Sequence, residues 1–106
     1  MSKFMRIIVF FDLPVHTKTQ RRQATQFRNA LLKDGFYMMQ FSVYSRVCAG
    51  ADTVDKHIVR IESQKPKYGS IRVLTVTERQ YESMKIILGD MKYNEKPGPQ
   101  QMTMIF

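Results

Sequence analysis

The chain has 106 residues, enough for one domain with a modest core and too few for two. Its content of 43% hydrophobic and 25% charged residues is typical of a globular protein, and no apolar run approaches the roughly 20 residues of a membrane span. The 17 Lys and Arg residues against 9 Asp and Glu give a formal charge of +8, which favours a polyanionic partner, usually nucleic acid.

The first predicted element is a strand that ends in a carboxylate. The five apolar residues 7–11 are rich in β-branched and aromatic types, and Pro14 lacks the N–H that would continue a ladder. Alternation divides the side chains between two faces, with Ile7, Val9 and Phe11 on one and Ile8, Phe10 and Asp12 on the other. Because both faces are apolar, we expect helices on one and further helices or a second subunit on the other.

The second element is a basic helix. Thr17 or Thr19 can cap its start, and Gly35 is a usual stop after Lys33. One arc of the helical wheel is apolar, with Ala24, Phe27, Ala30 and Leu31. The opposite arc carries Lys18, Arg21, Arg22, Arg28 and Lys33. No acidic residue lies between Asp12 and Asp34 to neutralise these cations, so we predict that they contact phosphates.

The middle of the chain predicts two strands, a helix and a further strand. Residues 36–48 are strand-like, and we place a break near residues 40–42; without an Asn-Gly or Gly turn, a single bulged strand stays open. A second helix is predicted at about residues 53–63, with Val54, Ile58 and Ile61 as its apolar stripe. A basic loop with Lys65 and Lys67 then leads into a strand at residues 70–77.

The C-terminal part predicts a short helix, a connector and a last strand. Thr77 and Gln80 have capping-box spacing, so a third helix should begin at Glu78, bury Tyr81, Met84 and Leu88, and end at Gly89. Residues 90–101 are polar with Pro and Gly, whereas residues 102–106 return to strand character. An apolar terminal strand needs a docking edge, and we expect it to pair with a neighbouring subunit's sheet.

This order of elements predicts an α+β fold of the ferredoxin-like βαββαβ type, with an extra short helix and a terminal strand. We assign residues 1–89 to the ferredoxin-like domain and residues 90–106 to a linker and strand of the same domain. Cys48 is the only cysteine, which excludes an internal disulfide, and the N-terminus lacks a signal-peptide apolar region, so we expect a cytoplasmic protein without a membrane partner. His16 and His57 have no Cys or His at metal-ligand spacing, which argues against zinc.

Three stretches together resemble the CRISPR-associated protein two family, the small CRISPR adaptation protein. They are Val-Phe-Phe-Asp-Leu-Pro at residues 9–14, the run from Gly35-Phe36 to Gln40-Phe41-Ser42-Val43-Tyr44, and residues 69–81. The resemblance implies a ferredoxin-like homodimer whose sheets face one another and whose C-terminal strands join the partner's sheet. It further implies a complex with the adaptation integrase, CRISPR-associated protein one, that holds double-stranded prespacer DNA.

The resemblance also implies a catalytic and metal-binding site at Asp12. Family members are described as metal-dependent nucleases acting on RNA or DNA, with the first-strand aspartate as magnesium ligand. Asp12 would then be the catalytic and metal-binding residue, and one Mg²⁺ ion would be shared at the dimer axis. The alternative role for Asp12 is a turn cap before Pro14 or a buried polar group at the interface.

We favour a scaffold that binds DNA over a nuclease. Phosphodiester hydrolysis requires a positioned water and charge stabilisation of the transition state, and the sequence shows no second acid or general base near Asp12. The expected nucleic-acid contacts are Lys18, Arg21, Arg22 and Arg28, followed by Lys65, Lys67 and Arg79. The expected dimer interface contains Ile8, Phe10, Met104, Ile105 and Phe106. Two alternatives stay open: a stand-alone, toxin-like metal-dependent endoribonuclease or DNase, and a single-stranded RNA reader that uses Phe10, Phe41 and Tyr44.

Overall fold

The computed structural model describes residues 4–88, which form seven elements. They are β1 (Met5–Asp12), α1 (Lys18–Lys33), β2 (Tyr37–Gln40), β3 (Val43–Cys48), α2 (Ala51–Ser63), β4 (Ser70–Thr77) and α3 (Glu78–Glu82). The strands make one antiparallel sheet in the order β2-β3-β1-β4. This order and the βαββαβ succession confirm the predicted ferredoxin-like fold.

The apolar strand β1 lies at the centre of the sheet, between β3 and β4. Its register against β4 pairs Asp12 with Ser70 and Met5 with Thr77, which gives the sheet an Asp12 end and a Met5 end. The turn between β2 and β3 lies at the Asp12 end, because the Phe11 N–H donates to the Ser42 carbonyl at 3.0 Å. The loop that enters β4 lies at the same end, since β4 begins at Ser70.

Helices α1 and α2 pack on one face of the sheet. The core there joins Ile7 and Val9 of β1 to residues of both helices, which are Phe27, Leu31, Val54 and Ile61. The predicted apolar arcs of the two helices are thereby confirmed. Within residues 4–88, no helix combines the length and hydrophobicity that crossing a bilayer requires.

The opposite face of the sheet, which we call the open face, carries the other β1 side chains. Ile8 is only 5% exposed there, whereas Phe10, Val47 and Leu74 are 39%, 43% and 50% exposed. Phe10 of β1 pairs with Val43 of β3, the strand that carries Val47, and Ile8 of β1 pairs with Leu74 of β4. The three exposed side chains therefore lie on neighbouring strands. An apolar strip across β3, β1 and the edge strand β4 therefore stays in contact with solvent in the single chain.

The ends of the first two helices follow local signals. Thr17 caps α1 in a capping box with Gln20, which decides between the two predicted caps. The helix ends at Lys33, and Gly35 follows with a φ of +90°, a conformation that glycine adopts without steric cost. Helix α2 begins at Ala51 after Gly50, two residues earlier than predicted.

The break near residues 40–42 is a hairpin turn, so the two-strand prediction is confirmed. Phe41 and Ser42 form the turn between β2 and β3, and Ser42 has a φ of +64°. A left-handed serine replaces the glycine or asparagine that such turns usually contain.

The prediction for α3 was right at its start and wrong in its extent. Thr77 and Gln80 form the expected capping box, but the helix ends at Glu82. Ser83 is the C-cap residue, and its hydroxyl donates to the Gln80 carbonyl at 2.7 Å. Met84 and Leu88 are consequently exposed and Tyr81 is half-buried. The predicted terminal strand, with Met104, Ile105 and Phe106, lies outside the described residues.

Candidate functional site

Asp12 is the last residue of β1 and its carboxylate is exposed. It lines a hollow of about 230 Å³ at the Asp12 end of the sheet, together with Phe10, Ser42, Ser70 and Arg72 among others. Among the residues that the structure describes, its side chain takes part in no ion pair or side-chain hydrogen bond. The alternative role as a turn cap is therefore not seen in residues 4–88, while a role as a buried polar group at a subunit interface stays a prediction.

Arg72 is a neighbour of Asp12 that the sequence reasoning missed. It lies on β4 opposite Phe10, is exposed on the open face and lines the same hollow as Asp12. The available signal was its position in Ser-Ile-Arg-Val-Leu-Thr-Val-Thr, two residues before Leu74 and so on the same face of the strand.

The basic residues at the start of α1 follow Asp12 by 6 to 10 positions in the sequence. Lys18, Arg21 and Arg22 are exposed, and none forms an ion pair with a carboxylate among residues 4–88. The Arg21 guanidinium donates to the carbonyls of Val15 and His16 at 3.1 and 3.3 Å, which holds it against the segment that links β1 to α1. These positive charges are therefore available to a partner.

The loop with Lys65 and Lys67 borders the Asp12 end from the other side. Gly69 has a φ of +114°, and a Cβ there would lie 2.8 Å from the Asp12 carbonyl oxygen, so only glycine allows this close approach. The Lys67 ammonium lies 5.5 Å from the centre of the exposed Tyr68 ring. Both lysines are exposed and belong to the same end of the molecule as Lys18 and Arg22.

The two remaining predicted contacts lie elsewhere. Arg28 is on the exposed side of α1 and lines a second hollow beside Tyr44. Arg79 belongs to α3 at the Met5 end, because Thr77 pairs with Met5. At about 3.3 Å per residue, that end lies about 23 Å along the strand from Asp12. The structure therefore places Lys18, Arg21, Arg22, Lys65 and Lys67 at the Asp12 end of the sheet and Arg79 at the opposite end.

Several other cations already have partners. Arg6 pairs with Glu78 at 2.6 Å, and Arg60 donates to the Asp34 carboxylate at 2.7 Å. His57 is buried and its Nδ1 lies 2.6 Å from the other oxygen of Asp34. Burial alone would raise the pKa of Asp34, but the hydrogen bonds with His57 and Arg60 outweigh it and lower that pKa. These residues therefore stabilise the fold.

The lone thiol belongs to the core. Cys48 is buried, and burial raises the pKa of its thiol despite nearby Arg46. A raised pKa keeps the sulfur protonated and unreactive near neutral pH.

The chain supplies little for a metal by itself. Residues 4–88 contain no group of three His, Cys, Asp or Glu side chains that could hold an ion together. Asp12 is a single exposed carboxylate with the hydroxyls of Ser42 and Ser70 in the same hollow. Mg²⁺ commonly takes one or two carboxylates plus water, so one chain offers the minimum and two chains would offer the usual set.

The predicted row of aromatics on the open face is not present. Tyr44 is 2% exposed and belongs to the core on the helical face, while Phe41 lies in the hairpin turn. Of the three residues proposed for a single-stranded RNA reader, only Phe10 lies on the open face. The sheet therefore lacks the stacked surface on which that alternative depended.

Comparison with known proteins is consistent with this architecture. A family model described as CRISPR associated protein Cas2 matches residues 5–84. Among curated relatives, the CRISPR-associated endoribonuclease Cas2 of Acidovorax ebreus is 52% identical over 92 residues, covering 87% of this chain and 90% of the relative. Proteins with the same name from Treponema denticola and Parvibaculum lavamentivorans are 49% and 39% identical, over 88 and 98 residues. These alignments cover 83% and 92% of this chain, and 87% and 97% of the relatives. The chain therefore belongs to the CRISPR associated protein Cas2 family.

Proposed function

We propose that two copies of this chain form a dimer that holds duplex DNA during CRISPR spacer acquisition and bridges the adaptation integrase, CRISPR-associated protein one. The observation that carries the proposal is the group of cations at the Asp12 end. Lys18, Arg22, Lys65 and Lys67 are exposed there without an ion-pair partner among residues 4–88. Cations aimed at phosphates bind without regard to sequence, which suits a protein that must accept any foreign DNA.

The dimer part of the proposal depends on the open face. Phe10, Val47 and Leu74 form an exposed apolar strip across β1, β3 and β4, and a second sheet would remove it from water. Ile8 is already buried within the chain, so Phe10 would carry more of the interface than Ile8. Two chains also double the formal charge of +8 and supply two copies of the cationic end.

A second candidate function is metal-dependent cleavage of RNA or DNA. It is favoured by the name of the relatives, CRISPR-associated endoribonuclease Cas2, and by the exposed carboxylate of Asp12. Asp12 from each of two chains would hold a shared Mg²⁺ ion, which would neutralise charge on a phosphate. Arg72, in the same hollow, would hold the phosphate in place. Asp12 belongs to no group of three or more His, Cys, Asp or Glu side chains within residues 4–88, and no other such residue lines its hollow, so we rank cleavage below the scaffold role.

A mixing experiment tests the scaffold proposal. The full chain, the integrase and a duplex DNA are combined and separated by gel filtration, with each pairwise mixture as a comparison. We expect one complex that contains all three components. Elution of the integrase with DNA while this protein stays apart would contradict the proposal.

A further inference from the structure

A second hollow lies next to the site, between α1 and the tip of the β2–β3 hairpin. Its volume is about 380 Å³, within the range of about 300–1,000 Å³ typical of small-ligand sites. Phe11 and Tyr44 form its buried side, with ring centroids 5.6 Å apart. Arg28 and Leu32 of α1 line one wall and Phe41 and Ser42 of the hairpin turn line the other. The hollow is thus mainly aromatic and apolar, with one cation.

Phe41 is the most unusual residue of this hollow because its side chain is 88% exposed. It stands beside Ser42, whose φ of +64° is uncommon for a residue other than glycine. The Ser42 carbonyl accepts from the Phe11 N–H at 3.0 Å, which fixes the turn to β1 one residue before Asp12. A large aromatic ring is therefore presented to solvent from an anchored position.

The polar groups of the hollow suit an anionic ligand that also hydrogen-bonds. Arg28 has no ion-pair partner among the described residues. Burial raises the pKa of the Tyr44 hydroxyl, and the charge of Arg28 opposes part of that rise, so the guanidinium lies near this hydroxyl. Ser42 adds a second hydroxyl at the rim. A ligand with a flat apolar surface, hydrogen-bonding edges and a nearby negative charge would use all of these groups.

The position of the hollow identifies the class of ligand. Phe11 and Ser42 line both this hollow and the hollow that contains Asp12 and Arg72, so the two are adjacent. The two hollows lie on opposite faces of the sheet and meet at Ser42, so a nucleic-acid strand that passes Asp12 would reach Phe41 by turning around the hairpin tip. This continuity favours a nucleotide over an apolar peptide, which would have no reason to begin at the cationic end.

We infer that the hollow binds one unpaired nucleobase of a strand held at the Asp12 end, with Phe41 stacked on the base and Arg28 contacting a phosphate. The inference rests on the proposed function, because it requires a nucleic acid at this end of the sheet. A blunt duplex has no unpaired base, so the hollow selects substrates with single-stranded ends. A DNA overhang and single-stranded RNA present the same base and phosphate chemistry, and the test includes both.

The test measures the affinity of the full-length protein for four oligonucleotides that contain 2-aminopurine: a blunt DNA duplex, the same duplex with an overhang, single-stranded DNA and single-stranded RNA. Stacking on Phe41 should quench the fluorescence of a 2-aminopurine in the overhang. Because stacking of one base changes affinity by roughly 5- to 150-fold, Phe41→Ala should weaken overhang binding by a factor in this range. Blunt-duplex affinity should stay unchanged. Phe4→Ala is the matched control, since Phe4 is also exposed but belongs to the Met5 end.

The outcomes separate this inference from the proposal on which it rests. The inference is supported if Phe41→Ala weakens binding of the overhang or of the single-stranded RNA but not of the blunt duplex, and if 2-aminopurine fluorescence is no longer quenched in that variant. The oligonucleotide whose binding is weakened then identifies whether the base comes from DNA or from RNA. Equal affinity of Phe41→Ala and wild type for every oligonucleotide would overturn the site but leave duplex holding intact. Equal loss on blunt and overhanging duplexes would also overturn it, and so would a Phe41→Ala defect confined to capture of the integrase. If the wild type binds no nucleic acid, the proposed function itself fails.

Discussion

Arg6 and Glu78 lie 72 positions apart in the chain and form two parallel hydrogen bonds of 2.9 and 2.6 Å. The Arg6 guanidinium also lies 4.0 Å from the centre of the Tyr81 ring and donates to the Tyr37 hydroxyl at 3.1 Å. Both charged side chains are largely buried, at 11% and 19% exposed. This contact fastens α3 to the Met5 end of the open face and fixes the direction in which the chain continues beyond β4.

Glu78→Gln tests this fastening. The variant leaves a largely buried guanidinium without its carboxylate, so the free energy of unfolding should fall by about 1.5–3 kcal/mol. Glu82→Gln is the matched control on the same helix, because Glu82 is exposed, and it should stay within about 0.5 kcal/mol of wild type. Urea unfolding measures both. Equal stability of the two variants would mean that the ion pair contributes nothing.

Asp34 predicts a dependence of stability on acid pH. Its pKa in the folded chain is lowered below the ordinary value of 3.8 by His57 and Arg60, against the opposing effect of burial. Its contribution is therefore complete above about pH 4 and is lost as pH falls through the folded-state pKa. Asp34→Asn should lower the free energy of unfolding at neutral pH by about 1–3 kcal/mol and flatten the fall below pH 4.

The matched control for Asp34 is Asp55→Asn, because Asp55 is an exposed aspartate of α2. Urea unfolding between about pH 2 and about pH 7, from about two units below an ordinary carboxyl pKa to about three units above it, compares the three proteins. The same acid profile for Asp34→Asn and wild type would remove Asp34 as the source of the dependence.

We expect Arg22 to contribute to the salt dependence of duplex binding. Each lost phosphate contact should reduce the slope of log affinity against log salt by about 0.9, so Arg22→Gln should bind duplex DNA more weakly and with a flatter slope. Lys56→Gln removes one exposed charge from α2 and serves as the control. Fluorescence anisotropy at several salt concentrations measures the slopes. A slope for Arg22→Gln that matches wild type would exclude this arginine from the DNA-contacting surface.

Asp12→Asn separates the scaffold from the nuclease. The exposed side chain has no partner in residues 4–88, so folding and duplex affinity should be retained, while any Mg²⁺-dependent cleavage of RNA or DNA should disappear. Cleavage is measured with Mg²⁺ and with EDTA, using protein purified identically from both genes. Spacer acquisition in cells should continue in the variant. If Asp12→Asn loses both spacer acquisition and cleavage, the result would indicate that spacer acquisition requires the nuclease activity.

Local patterns predicted most of the fold. The candidate caps Thr17 and Thr19 indicated roughly where α1 begins, and the capping-box spacing at Thr77 indicated where α3 begins. The spacing of Phe27 and Leu31 indicated the buried side of α1. These features depend on residues within one or two helical turns, which a sequence displays directly.

Contacts between distant segments were not predictable in this way. The pairing of Asp34 with His57 and the approach of Arg72 to the Asp12 hollow both join separate elements. Strand alternation assigns Arg72 to a face of β4, but it does not show which strand lies next to β4. The end of α3 was missed for a different reason. Met84 and Leu88 have helical spacing, but no described core surface covers them after the helix ends at Glu82.

We expect two copies of this chain to hold one duplex through joined open faces. Native mass spectrometry of the protein with a duplex DNA measures the number of chains per duplex directly. We predict two chains on one duplex, and a loss of that species in Leu74→Glu but not in Val59→Glu, which alters an exposed valine of α2. A complex of one chain with one duplex, or a Leu74→Glu protein that still binds as a pair, would contradict the account.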